Sequence, residues 1–463
     1  MRRRACVPVT PRRRITPPIR GLTSCRLHER SGPHSIPGED ARYGARGLRH
    51  SFVSRLANRK HRKPETIVRY TEHRMSSTAV TKGESTQPSS LRRAHVAPLL
   101  LAAFSLMAAC GNDATSPEPN VAPTGLQNTL DSIVRVKQLP GVVVNVRLAN
   151  GTAYTLTSGV ADLTTKRKVA GTDRFRVGSV TKPMIATMVL QLQDEGRLSI
   201  DSSVNKYLPN VVPNAAQISI RQLLNHTSGL ANYTNDQTFN DMLLANPARA
   251  FTPSELLSIS SRQGPDFAPG TTFGYSNTNY IVLGLLVEKL TAGTVAQALQ
   301  TRIFGRVGMT ESSYPTTVGM PTPFAEGYID ITRPGENLAV GSVLDASQAG
   351  AAGAVVSTAS DLARFAEAVA AGTLVSAASS AAQQQVVAAS VESVPGESFD
   401  TGYGLGVQVG GGWVGHSGAI QGYEAIVAAK RGGGAIAVLV NRTTDDDVLY
   451  KIFVAVRNAQ FGR

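Results

Sequence analysis

Residues 141–160 read GVVVNVRLANGTAYTLTSGV. Val142, Val144, Val146 and Leu148 alternate along one side of an extended chain, Asn150-Gly151 supplies a tight turn, and the alternation resumes through Tyr154 and Leu156. This is the pattern of a β-hairpin, because successive strand side chains point to opposite faces and an Asn-Gly step accepts the positive φ angles of the turn. A second hairpin stands near the other end: EAIVAAK (Glu424–Lys430), a turn at Arg431-Gly432-Gly433-Gly434, then AIAVLVN (Ala435–Asn441). Helical spacing flanks both. Leu126, Leu130, Ile133 and Val134 precede the first hairpin, and residues 445–461 follow the second, with Asp445, Asp446 and Asp447 at the positive helix end. Between them, residues 199–334 read as helices and loops interrupted by Pro and Gly, without a repeat. The pattern predicts an α/β (α+β) fold in which an antiparallel sheet, formed from residues 122–198 and 335–463, is sandwiched by helices. A mainly helical domain, 199–334, is inserted into it. The Ala/Ser/Gln-biased stretch Thr373–Ser390 reads as a surface helix.

The formal charge of +14 belongs entirely to residues 1–74, an Arg-, Pro- and Gly-rich stretch without apolar periodicity. The remaining chain balances 28 basic against 28 acidic residues. A neutral body has no footprint for phosphate backbones, so nucleic-acid binding is excluded. Residues 1–74 read either as a basic disordered arm or as sequence upstream of a start at Met75. After Met75 come Arg92-Arg93 and AHVAPLLLAAFSLMAAC, ending at Cys110. Its apolar run of about 14 residues is shorter than the ~20 that span a bilayer. Residues 75–110 resemble a bacterial lipoprotein signal with Cys110 as the lipidated residue, and 111–121 read as a polar tether. The expectation is export to the periplasm or cell envelope, with membrane contact only through a lipid at Cys110. No cysteine follows Cys110, so the body has neither disulfide nor thiol chemistry. Only His226 and His416 lie in the body, which argues against a histidine metal site; no cofactor or metal is expected.

The stretch FRVGSVTKPM (Phe175–Met184) sets Ser179 and Lys182 three residues apart at the start of a segment whose Ile185, Met188, Val189 and Leu192 form an apolar helical stripe. Unpaired N–H groups at a helix start favour developing negative charge, and a lysine one turn on reaches the serine on the same face. A desolvated lysine gives up its proton readily and can act as a base. The same S-x-x-K spacing recurs at Ser203 and Lys206 in a polar, turn-rich context, and a serine at a helix start is commonly an N-cap. Two further stretches weigh in. Tyr275-Ser276-Asn277 stands before a strongly apolar helix, and His416-Ser417-Gly418 opens the closing hairpin. A phenol can carry a proton to a leaving group, an amide can orient a substrate, and a strand N–H can complete an oxyanion hole. Y-x-N recurs at Tyr233-Thr234-Asn235, so that motif is weak alone.

Taken in order, S-x-x-K, Y-S-N and H-S-G resemble the serine penicillin-recognising hydrolases. The tyrosine variant is similar to the branch of class C β-lactamases and D-alanyl-D-alanine carboxypeptidases. LLNHTSGL (Leu223–Leu230), AGAVVSTASDLARF (Ala352–Phe365) and GYGLG (Gly402–Gly406) also fit that branch. The resemblance covers Leu126 to Phe461 and implies a β-lactamase/transpeptidase-like fold with its site between sheet and helices. It implies Ser179 as the nucleophile of an acyl-enzyme, with Lys182 and Tyr275 sharing the proton work. It also implies an oxyanion hole from the Ser179 and Ala419 N–H groups, Asn277 on the substrate amide, and His416, Ser417 and Gly418 along the docking edge. His226 matches no motif and reads as a residue that holds a turn by hydrogen bonding.

Position 416 separates subgroups. Histidine there resembles the carboxypeptidases and some esterases, whereas lactamases usually carry lysine. Carboxypeptidases of this kind can place an arginine on the strand after GYGLG to hold a terminal carboxylate; here Gln408 stands near that place. Three readings follow: a D-alanyl-D-alanine carboxypeptidase-like peptidase acting on peptidoglycan stem peptides, an esterase or class C-like β-lactamase acting on small esters or β-lactams, and a non-catalytic binder of cell-wall peptide. The first is favoured.

Overall fold

The computed structural model describes residues 122–330, 337–387, 402–444 and 447–462. Residues 1–121, with the arm, the signal, Cys110 and the tether, lie outside the described residues, as do Asp445 and Asp446. Seven strands form one antiparallel sheet: β1 (Gly141–Arg147), β2 (Ala153–Gly159), β7 (Gly402–Tyr403), β8 (Gln408–Gly410), β9 (Trp413–Ile420), β10 (Tyr423–Lys430) and β11 (Ala435–Val440). Two short ladders lie outside it: β3 (Phe175–Arg176) with β6 (Val356–Ser357), and β4 (Tyr328–Asp330) with β5 (Asn337–Ala339).

The sheet order is β2-β1-β11-β10-β9-β8-β7, so the two sequence hairpins meet along β1 and β11, with Val142 opposite Val440 and Val144 opposite Val438. Both faces of the sheet are covered. On one, Val142, Val144, Val146, Ile426, Val438 and Val440 pack with helices α1 (Thr124–Val136) and α8 (Val448–Phe461). On the other, Val143, Ala425, Val427 and Leu439 join α2 (Thr181–Asp194) and α7 (Ala359–Ala371). This explains why β1 is buried on both sides although its valines alternate: the out-of-phase residue Val143 meets the second helical layer.

The middle of the chain supplies α3 (Ile220–Leu224), α4 (Gln237–Ala245), α5 (Pro253–Gln263) and α6 (Asn277–Thr291). Capping boxes start α3 at Ser219 and α5 at Thr252, which fixes where the helices begin. α6 is buried on nearly every side through Thr278–Leu283, and packs in the same apolar cluster as α2. The chain returns to the sheet before residue 334. Ala325 N donates to Arg174 O, and Tyr328 N donates to Gly422 O and Asn441 O. Among the described residues no single helix is long and apolar enough to cross a membrane.

Candidate active site

Ser179 sits in the 3-10 turn Gly178–Val180, which runs straight into α2. No side chain caps either the turn or the helix, so the Ser179 hydroxyl is not spent as an N-cap. Lys182, in the first turn of α2, is fully buried. Its Nζ lies 2.8 Å from Ser179 Oγ, 2.7 Å from Asn277 Oδ1 and 2.8 Å from the Ala352 carbonyl. Tyr275 OH lies 2.9 Å from Ser179 Oγ on the other side.

The proton inventory of this cluster is restrictive. Asn277 Oδ1 and the Ala352 carbonyl only accept, so two Nζ protons go to them. The third contact then takes one of two forms. A neutral lysine accepts the Ser179 proton, or an ammonium donates to Oγ, and in either form Tyr275 OH donates to Oγ. Both forms leave Oγ poised between two proton carriers.

Three supports hold the cluster, and none belongs to the S-x-x-K, Y-S-N or H-S-G motif. Asn277 N donates to Asn232 Oδ1 at 3.1 Å, and Asn277 Nδ2 donates to Thr234 Oγ1 at 3.3 Å, which turns Oδ1 toward Lys182. His226, at φ +59°, accepts at Nδ1 from Ser276 N, and its ring lies 4.3 Å from that of Tyr275. Ala352 lies in the turn Gly350–Ala352. The competing S-x-x-K is a surface feature: Lys206 is exposed and, among the described residues, its side chain reaches Ser202 Oγ at 3.5 Å and the Tyr207 ring.

Two glycines let β9 meet the Ser179 turn backbone to backbone. Gly178 has φ +52°, and a Cβ there would stand 2.9 Å from Ala419 N. A Cβ on Gly418 would stand 2.2 Å from Val177 O and 2.8 Å from Ser179 N. Both positions therefore exclude a side chain, and the peptide units of Ser179 and Ala419 become neighbours across the gap. The Ala419 residue itself is exposed.

A buried lysine and a phenol on one serine, beside a strand packed on the serine's backbone, is the arrangement the sequence motifs anticipate. Residues 126–459 match the Beta-lactamase family. The chain belongs to the β-lactamase family. Two relatives are penicillin-binding protein 4 of Amycolatopsis lactamdurans, 31% identical over 68% of this chain and 84% of that protein, and penicillin-binding protein PbpX of Bacillus subtilis (strain 168), 28% identical over 60% of this chain. The match spans 64% of the length of PbpX. Among solved structures, a D-stereospecific amidohydrolase from Streptomyces sp. superposes with a TM-score of 0.64 at 32% identity, covering 73% of this chain and 97% of that one. The fold is thus that of the serine β-lactamases and penicillin-binding proteins, a family of serine hydrolases.

Within this β-lactamase-family frame, two of the expected substrate-lining side chains face elsewhere. His416 is 2% exposed. Its Nδ1 lies against the Ser417 carbonyl and its Nε2 is 2.9 Å from Tyr403 OH. A carbonyl only accepts, so Nδ1 carries the proton and Nε2 accepts from the phenol. Burial, with the Lys182 charge nearby, pushes its pKa down to about 3; His226, also fully buried, is held well below its usual value for the same reasons. Both imidazoles are neutral and serve as fixed struts. Gln408 is 4% exposed, and its amide brackets Ser417: Oε1 accepts from Ser417 N at 2.6 Å and Nε2 contacts Ser417 Oγ at 3.4 Å. Gln408 points along the sheet because β8 ends its ladder with β9 at Gly415, and the side chain takes over the next unpaired N–H. Ser417 is half-buried, and Gly418 is buried against the Ser179 turn.

Proposed function

We propose that this chain is an exported serine hydrolase that forms an acyl-enzyme at Ser179 and cleaves amide bonds in peptides containing D-residues, as a D-alanyl-D-alanine carboxypeptidase or a D-stereospecific amidohydrolase does. The observation that carries the reading is Ser179 Oγ held 2.8 Å from Lys182 Nζ and 2.9 Å from Tyr275 OH. The reading is supported by the names of its relatives, two penicillin-binding proteins and an amidohydrolase. Peptidoglycan stem peptides are the natural source of such bonds, and export is supported by Arg92-Arg93 and the apolar run up to Cys110, the proposed lipid anchor in the periplasm or cell envelope.

In the proposed reaction Ser179 Oγ attacks the carbonyl carbon and its proton passes to the Lys182–Tyr275 pair. The oxyanion gathers on the N–H groups of Ser179 and Ala419. Collapse breaks the C–N bond as the same pair protonates the departing nitrogen. Water then repeats the sequence in reverse, releasing the acid and restoring the serine. Asn277 holds the acyl-side amide and fixes Lys182.

The test incubates the full-length protein with a fluorescent penicillin and with an N-acyl-D-Ala-D-Ala peptide, with Ser179→Ala alongside. Covalent label and D-Ala release, both lost in the variant, are expected. Fast turnover of p-nitrophenyl esters or of the β-lactam without peptide cleavage would replace this reading by the esterase or lactamase one. Peptide binding undiminished in Ser179→Ala, with no turnover in either protein, would replace it by a non-catalytic binder.

A further inference from the structure

His226 is a fully buried side chain that takes no part in the proton steps above, and its polar contacts fall on the segment that carries Tyr275. It stands just past α3, with φ +59°. Its carbonyl accepts from Gly274 N at 2.9 Å, and its Nδ1 accepts from Ser276 N at 3.2 Å. Nδ1 also lies 3.0 Å from Asn279 Nδ2, on α6. Because a backbone N–H can only donate, Nδ1 is an acceptor and the ring proton sits on Nε2. The Asn279 amide agrees: its Oδ1 accepts from Ser228 Oγ at 2.6 Å, which leaves Nδ2 for the ring. One residue thus grips the N–H groups on both sides of Tyr275, and its imidazole lies 4.3 Å from the Tyr275 ring itself. The rings of Tyr280 and Tyr403 stand around the same imidazole at 5.4 and 5.0 Å.

Lys182 is secured by other means. Asn277 Oδ1 and the Ala352 carbonyl hold its Nζ, and Asn277 is itself held by Asn232 and Thr234. Loss of the imidazole would therefore loosen the phenol while the Lys182–Ser179 contact stays in place. The Tyr275 hydroxyl stands at the far end of a long side chain, so a small rotation of its peptide moves it off Ser179 Oγ. We infer that His226 is a positioning residue of the reaction: it keeps the Tyr275 hydroxyl in line with Ser179 Oγ and thereby decides how poor a leaving group the enzyme can expel. As the acyl carbon parts from its nitrogen or oxygen, the proton that Ser179 gave to the Lys182–Tyr275 pair is returned to the departing atom. An amine or an alkoxide cannot leave without that proton, whereas an aryl oxide that is stable as an anion can. The inference rests on the acyl-enzyme reading above and adds the residue that fits it to amides and alkyl esters.

The test compares kcat/KM of the full-length protein on two esters with one acyl group, the methyl and the p-nitrophenyl ester of N-acetyl-D-alanine. His226→Leu removes the Nδ1 acceptor. It is expected to lower the methyl ester value by about 10²-fold and the p-nitrophenyl value by less than about tenfold, as for a proton donor displaced by about 1 Å. Tyr275→Phe should show the same split, and adding His226→Leu to it should cost nothing further. His226→Asn keeps an acceptor near the Nδ1 place in a residue that tolerates positive φ, and should restore the methyl ester. His226→Gln carries its amide one bond further out and should behave as His226→Leu, which keeps the test open if the leucine variant does not fold. Equal losses on the two esters in a folded variant, no loss at all, or additive losses in the double variant overturn the inference and leave the acyl-enzyme reading intact. Absence of Ser179-dependent penicillin labelling together with no turnover of either ester would instead sink the acyl-enzyme reading, and the inference with it.

Discussion

Acid should destabilise this fold through His416 in a way that one substitution isolates. In the unfolded chain a histidine titrates near 6.5, whereas in the folded protein His416 is held at about 3. Below 6.5 the unfolded state therefore binds the proton that the folded state refuses, so stability rises with pH and is lost as pH falls from about 6.5 toward about 3. Between about pH 7 and about pH 5 the single-site loss is about 2 kcal/mol, since the unfolded imidazole is almost fully protonated at the lower value and the folded one is not. His226 is depressed in the same direction and adds to the slope. The surroundings offer no relief: His416 faces the Lys182 charge, the Tyr403 hydroxyl and the Ser417 carbonyl, and only the last favours its protonation. Urea unfolding can be followed by the one tryptophan, Trp413, which is buried three residues away on the same strand. The experiment compares wild type with His416→Gln at both pH values. The variant carries its own packing cost, but that cost is common to both pH values and cancels in the difference. Wild type should lose about 2 kcal/mol more than the variant on acidification. An equal loss in the two proteins would refute the argument that a buried, doubly bonded imidazole governs this window.

Gly418→Ala should leave the fold recognisable by circular dichroism yet slow acylation of Ser179 by about 10²-fold, because the new Cβ would strike Val177 O and Ser179 N and displace the nucleophile's own peptide unit. An unimpaired rate of penicillin labelling would mean that the Ser179 turn and β9 need not meet so closely. Ser203→Ala and Lys206→Ala should label Ser179 at the wild-type rate, since that pair stands on the surface away from the cluster; a loss comparable to that of Ser179→Ala would reverse the choice between the two S-x-x-K matches.

The sheet was legible because strand alternation and turn chemistry are local. Asn150-Gly151 and the run Arg431–Gly434 mark both hairpins, and β1, β2, β10 and β11 follow them closely. Ser179, Lys182, Tyr275 and Asn277 were legible only as a set, because the short motifs recur by chance and the deciding fact is that Lys182 and Tyr275 meet on one hydroxyl while Asn277 holds Lys182. What could not be read was whatever depends on a partner far away in the chain. Thr234, inside the discounted Tyr233-Thr234-Asn235 match, turns out to orient Asn277, and Ala352 holds Lys182 through a carbonyl that every residue possesses. Gln408 could be placed near the expected carboxylate site by counting, but not aimed. Its direction follows from where β8 stops pairing with β9, a boundary set by the Gly411-Gly412 turn and the strand lengths.

The pairing of β1 with β11 has a consequence for how the molecule comes into being. Val142 finds its neighbour in Val440, almost three hundred positions later, and the Ser179 turn leans on Gly418. During synthesis the first hairpin and α2 emerge long before the strands that complete their sheet, so this part of the chain must wait, its valines uncovered, until the last quarter is made. The hydroxyl of Ser179 has no strand beside it during that wait. Assembly of the sheet and assembly of the site are one event, and a chain interrupted anywhere before β11 would hold the nucleophile without the surroundings that make it one.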